Sequence, residues 1–118
     1  MTRVLETVLW IQGIYFLVTG IWPLVSYSSF EAITGRKTDV WLVKTLGALL
    51  AVTGAALLNA VVATAPVTIT VFITGIGTAM VLLMIDLVYV VKSVISKIYL
   101  VDACIQFLLV MLWCISIF

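Results

Sequence analysis

Residues 45–85 carry no charged side chain, and 41 residues is about twice what one bilayer crossing needs. The chain must therefore turn inside this run. Thr64-Ala65-Pro66-Val67-Thr68 is its convincing break, leaving two uncharged arms of about 19 residues, or roughly 28 Å of helix each. A helical hairpin is predicted, with spans over about residues 41–63 and 67–91. An apolar run at about 4–25, closing near Trp22-Pro23, supplies a span before the hairpin. Another follows it at about 98–118, after a short turn at 92–97. With 65% hydrophobic and 9% charged residues, the composition is that of an integral membrane protein. Four spans use most of 118 residues. The expected fold is all-α: one transmembrane domain over 1–118, a four-helix bundle with antiparallel up-down connectivity.

The N-terminus resembles a secretion signal, but Glu6 interrupts it, the run reaches Val25, and Val25-Ser26-Tyr27 is a poor cleavage site. A retained span is expected. In the polar stretch 26–39, Ser28-Ser29-Phe30-Glu31 has capping-box spacing and Gly35 suits a helix end. These residues predict a short interfacial helix with Phe30 and Ile33 dipping toward lipid. Arg36, Lys37, Lys44, Lys92 and Lys97 fall on one side of the spans and Arg3 on the other, a five-to-one bias. The expected location is a bacterial inner membrane, with both termini outside and the first and third connections cytoplasmic.

Several function classes drop out. A net charge of +1, with no like-charge block beyond Arg36-Lys37, offers no surface for nucleic acid. Histidine is absent, which removes the usual general base and the commonest metal ligand. Cys104 and Cys114 lie about 15 Å apart along one helix, so they cannot pair. They read as two small buried apolar side chains, and no cofactor or metal is expected.

Helix association in lipid relies on small and polar residues. On the second span Lys44, Gly47, Ala48, Ala51 and Ala55 share one direction. On the third, Asp86 shares a face with Gly75 and Ala79; on the fourth, Asp102 aligns with Gln106, Leu109 and Trp113. The first carries Gln12, Tyr15 and Thr19 on one side and Glu6, Gly13 and Gly20 on another. Depths match as well, since Asp86 and Asp102 lie roughly 8 to 9 Å inside Lys92 and Lys97 by helical rise. The candidate site is thus a cluster of Lys44, Asp86 and Asp102, supported by Gln106 and by Tyr89 or Tyr99.

That cluster has two readings. One is an ion-pair lock that fixes helix register, favoured by its shallow depth. The other is a polar chamber that binds the head of an amphipathic molecule, relays a proton or passes an ion. The leading function is a noncatalytic accessory or amphipathic-ligand-binding bundle, in contact with membrane lipid and self-associating or meeting another membrane protein through small-residue faces. The alternatives are a small proton- or cation-coupled transporter or channel, and a lipid-modifying enzyme using the paired carboxylates as acid and base. The enzyme needs a cavity beside both carboxylates; a solid core there would exclude it.

Gly13-Ile14-Tyr15-Phe16-Leu17-Val18-Thr19-Gly20 and Gly47-Ala48-Leu49-Leu50-Ala51-Val52-Thr53-Gly54-Ala55-Ala56-Leu57-Leu58, with the four-span layout, resemble the DoxX-like group of small bacterial membrane proteins. The resemblance implies a four-helix bundle and transfers no functional residue. Small multidrug transporters share the length and span count, but their first span holds a glutamate deep in the membrane, whereas Glu6 is terminal.

Overall fold

The computed structural model describes residues 3–35, 39–63 and 67–117. Arg36, Lys37 and residues 64–66 of the expected break at 64–68 lie outside them. The described residues form α1 (Arg3–Val25), α2 (Tyr27–Thr34), α3 (Val40–Val62), α4 (Ile69–Val91) and α5 (Tyr99–Ile117). All but α2 are long and apolar enough to cross a membrane, at the places expected. Thr68 caps α4, its hydroxyl oxygen accepting from the Val71 N–H at 3.3 Å.

The local chemistry of α2 differs from expectation in two ways. The helix begins at Tyr27, with Ser26 at the cap position and no side-chain cap bond, so the Ser28–Glu31 capping box does not form. Ser28 is already inside the helix. Ser29 instead donates to the Ser26 hydroxyl at 2.8 Å and receives the Trp22 indole N–H at 2.9 Å, tying α2 back to α1. Phe30 turns inward rather than toward lipid: it is buried, edge-on to Trp22 at 5.2 Å between centroids. Ile33 stays exposed. Gly35 ends α2 at φ 100°, a conformation that costs glycine no Cβ clash.

Helix α1 is the hub. One side packs closely on α3, the other meets α5, and α4 packs on α5, whereas α3 and α4 barely touch. The α1–α3 contact depends on glycine opposite glycine. A Cβ on Gly54 would lie 2.6 Å from the Gly13 carbonyl oxygen and 2.6 Å from the Leu17 nitrogen; one on Gly47 would lie 2.6 Å from the Gly20 carbonyl oxygen. Backbones approach this closely only where side chains are missing, the usual means of pairing helices in lipid.

Across α1, Val8, Leu9 and Phe16 join Leu57, Val61, Ala79, Leu109 and Trp113 in a buried core. Trp113 occupies the space of the missing Gly75 side chain and stands edge-on to Phe72 at 4.9 Å. Its indole N–H donates to Gln12 Oε1 at 2.6 Å, and Gln12 Nε2 donates to the Gly75 carbonyl at 2.8 Å. These two bonds join α5, α1 and α4 with every polar atom of the Gln12 side chain engaged, as burial demands. Thr74 and Thr78 bond back to the carbonyls of Thr70 and Thr74, the ordinary way a threonine is satisfied in an apolar helix.

The buried stripe of α5 is Ala103, Gln106, Leu109 and Trp113. Both cysteines lie off it. Cys104 is exposed and Cys114 half-buried, both unbonded, so the expectation of two buried thiols gives way to the phase of that stripe.

Candidate functional site

The same helical phase that buries Gly75 and Ala79 on α4 carries inward Asp86, two turns beyond Ala79, leaving it 4% exposed. On α5, Gln106 is fully buried and Asp102, one turn earlier, half-buried. The two carboxyls meet as interacting side chains. Asp102 Oδ1 accepts from the Gln106 amide nitrogen at 3.2 Å and from the Tyr15 hydroxyl of α1. Thr19, one turn along α1, is engaged with the Tyr15 side chain in turn. The site is thus an Asp86–Asp102–Gln106 constellation completed by Tyr15.

Beside it lies a cavity of about 480 Å³. Its polar side is Tyr15, Thr19, Asp86, Asp102 and Gln106. The walls are apolar: Phe16 from α1, Leu46 and Leu50 from α3, Leu82 and Ile85 from α4. Phe30 and Ile33 of α2 and Ile95 and Ile98 of the 92–98 connection also line it. Those two segments meet near Gly35, whose missing Cβ would lie 3.5 Å from that of Ser96.

Of the six residues expected in the cluster, Asp86, Asp102, Gln106 and Tyr99 line this cavity. Lys44 and Tyr89 do not. Tyr89 is exposed, and Lys44 is exposed with its ammonium 5.9 Å from the centroid of the Tyr27 ring. Among the described residues no ion pair joins Lys44 to either aspartate. The reason is rotational. Gly47, Gly54, Leu57 and Val61 form the buried stripe of α3, about 90° around the helix from the mean direction of Lys44, Gly47, Ala48, Ala51 and Ala55. Close approach to α1 sets that rotation and turns Lys44 toward α2. Desolvation pushes the Tyr27 hydroxyl above the usual tyrosine range, with Glu31 and Tyr99 adding to it, so the ring under Lys44 stays neutral.

Sequence reasoning placed Tyr15 on the polar side of α1 but not in the cluster. The pattern that could have found it is Gln12, Tyr15 and Thr19 at helical spacing, a polar stripe opposite the glycine stripe. Without Lys44 the ion-pair lock lacks its cation. Two adjacent carboxylates repel, so the pair requires a proton or a positive charge beside it.

Gln106 Oε1 and Asp86 Oδ2 are both buried and, among the described residues, without a hydrogen-bond partner. In an apolar setting such an atom costs about 1–3 kcal/mol, and these two, unlike the Tyr27 hydroxyl that is also buried without a partner, belong to residues that line the cavity. Comparison of the chain with protein-family models, with curated proteins and with solved structures finds no match, so the functional reading rests on this geometry.

Proposed function

We propose that this chain is a noncatalytic membrane protein that binds an amphipathic small molecule in the cavity between its helices. The observation that carries the reading is the pair of buried, unmet acceptors, Asp86 Oδ2 and Gln106 Oε1, on the polar side of an otherwise apolar cavity. Its size of about 480 Å³ falls within the range of about 300–1,000 Å³ typical of small-molecule sites. The four long helices cross a bacterial inner membrane alternately up and down, as an antiparallel bundle with both termini outside. The α2 helix and the 92–98 connection then lie at the cytoplasmic face, supported by the five-to-one bias of basic residues. The DoxX-like layout, inferred from the two glycine stretches, agrees with glycines that pack α1 on α3. Because these glycines are spent within one chain, one copy is taken as the binding unit.

Transport across the bundle is the weaker alternative. Beyond the polar cluster the described interior is a core of Trp113, Phe16, Leu9 and Leu109, and the buried Gln12 there has its side chain fully engaged. The cavity beside both carboxyls is what the acid–base enzyme also needs, and that reading adds turnover to the same binding step.

Native mass spectrometry of the full chain released from lipid nanodiscs tests the proposal. The wild type is expected to retain an amphipath at one per chain, and Leu50→Trp, which fills the cavity from α3, to lose it. Equal retention by both would refute binding in this cavity.

A further inference from the structure

The hydrogen-bonding state of the cavity is one-sided. The Tyr15 hydroxyl and the Gln106 amide both donate to Asp102 Oδ1, and the Thr34 hydroxyl donates to the Phe30 carbonyl at 2.7 Å. Among the described residues, the polar side of the cavity leaves two acceptors without a partner: Asp86 Oδ2, on a residue 4% exposed, and Gln106 Oε1, on a residue 1% exposed. The Gln106 amide presents its NH₂ group to Asp102, which leaves Oε1 on the other side. Among the described residues no lysine or arginine lines the cavity, so none of them gives the carboxyl pair a counter-charge there.

We propose that the ligand head is a protonated amine and that the ligand as a whole is a lipophilic amine, a hydrocarbon or ring body ending in an ammonium group. This inference rests on the reading of the cavity as an amphipath site and adds the class of ligand. An ammonium carries three donors and no acceptor, so it can meet Asp86 Oδ2 and Gln106 Oε1 together while neutralising the carboxyl pair. A hydroxyl has one donor and leaves one of the two acceptors unmet. A carboxylate or phosphate head brings acceptors and negative charge against acceptors and negative charge. The body finds apolar walls in Phe16, Leu50, Leu82 and Phe30.

Access is lateral. Leu46 of α3 and Ile85 of α4 line the cavity, yet are 54% and 45% exposed, and the two helices barely touch. The gap between them faces the hydrocarbon in which a lipophilic amine is already dissolved. An amine partitioned into the bilayer can thus pass sideways between α3 and α4, head group leading toward Asp86.

The test holds the body constant and varies the head. Full-length protein in phosphatidylcholine nanodiscs is equilibrated with dodecylamine, dodecanol and dodecanoate at equal membrane concentration, and one-to-one adducts are counted by native mass spectrometry. Dodecylamine is expected to be retained at least tenfold over the other two. Asp86→Asn, which keeps the shape and removes the charge, is expected to lower amine retention at least tenfold and leave dodecanol unchanged. Equal retention of the three probes by the wild type, blocked by Leu50→Trp, would overturn the amine assignment while leaving the cavity as an amphipath site. Retention of none would overturn both. The wild-type preference among heads needs no variant to fold.

Discussion

Replacing Gly54 by alanine, with Gly77→Ala as its control, tests whether backbone contact between α1 and α3 holds the molecule together. The new Cβ at position 54 would lie 2.6 Å from the Gly13 carbonyl oxygen and 2.6 Å from the Leu17 nitrogen, whereas ordinary contact begins at 3.4 Å. Both neighbours are backbone atoms of α1, so no rotamer change relieves the clash, and the helices must part by about 0.8 Å, the difference between those distances. A radial gap of roughly 0.5–1 Å forfeits a quarter to a half of each dispersion contact across the interface. Such overpacking costs about 1–3 kcal/mol, and rigid neighbours on both counts put this site at the upper end. Alanine returns up to about 1 kcal/mol of helix propensity, for a net loss of about 2 kcal/mol. At Gly77 a Cβ meets nothing within 4 Å, so only the propensity gain applies. The two variants should therefore differ by about 3 kcal/mol in unfolding free energy, as measured by steric trapping in bicelles. A Gly54→Ala protein as stable as the wild type would refute the close-contact account of the α1–α3 pair.

Three further outcomes are expected. Trp113→Phe leaves Gln12 Oε1 buried and unmet, at about 1–3 kcal/mol, and adding Gln12→Leu recovers part of it; unfolding of the four-member cycle should show a coupling of about 1–2 kcal/mol, and additivity would contradict it. Tyr15→Phe withdraws a donor from Asp102 without changing shape and should destabilise by about 1.5–3 kcal/mol in the same unfolding assay. Lys44→Ala loses only a cation–π contact of about 0.5–1 kcal/mol and should leave amphipath retention unchanged by mass spectrometry; a loss of about 3–5 kcal/mol would instead reveal a buried ion pair with the aspartates.

What the sequence disclosed followed from length and period. The uncharged run 45–85 required two helices, and the inward phases of Asp86 with Gly75 and Ala79, and of Gln106 with Leu109 and Trp113, are those in the structure. Both stripes contain one kind of small or polar position surrounded by bulky apolar ones, so phase alone identified them. The α3 helix was harder because it has small residues on two sides: Ala48, Ala51 and Ala55 on one, Gly47 and Gly54 on the other. Alanine is merely small, whereas glycine lets backbones touch, and the glycine stripe won. Lys44 moved out of the site with that rotation. Phe30 escaped prediction for a related reason, since its partner Trp22 lies eight residues back across a helix break whose bend is not encoded in any periodicity.

The site itself follows from the division of labour on α1. Its glycines commit one side to α3 at backbone distance, and its Gln12, Tyr15 and Thr19 stripe is thereby aimed at α5 and α4. Because α3 is drawn onto α1 and α4 onto α5, neither outer helix can also close on the other, and the space between them is left open. At the core end that space is filled by Trp113, whose ring needs the absent side chain of Gly75 to fit. Toward α2 the described residues leave a cavity, lined by Phe30 and Ile33 and by the carboxyl-bearing Asp86 and Asp102. Tight packing on two sides of α1 therefore produces the cavity. Loosening the α1–α3 contact, as in Gly54→Ala, should weaken amphipath retention as well as stability, although position 54 lies outside the cavity lining.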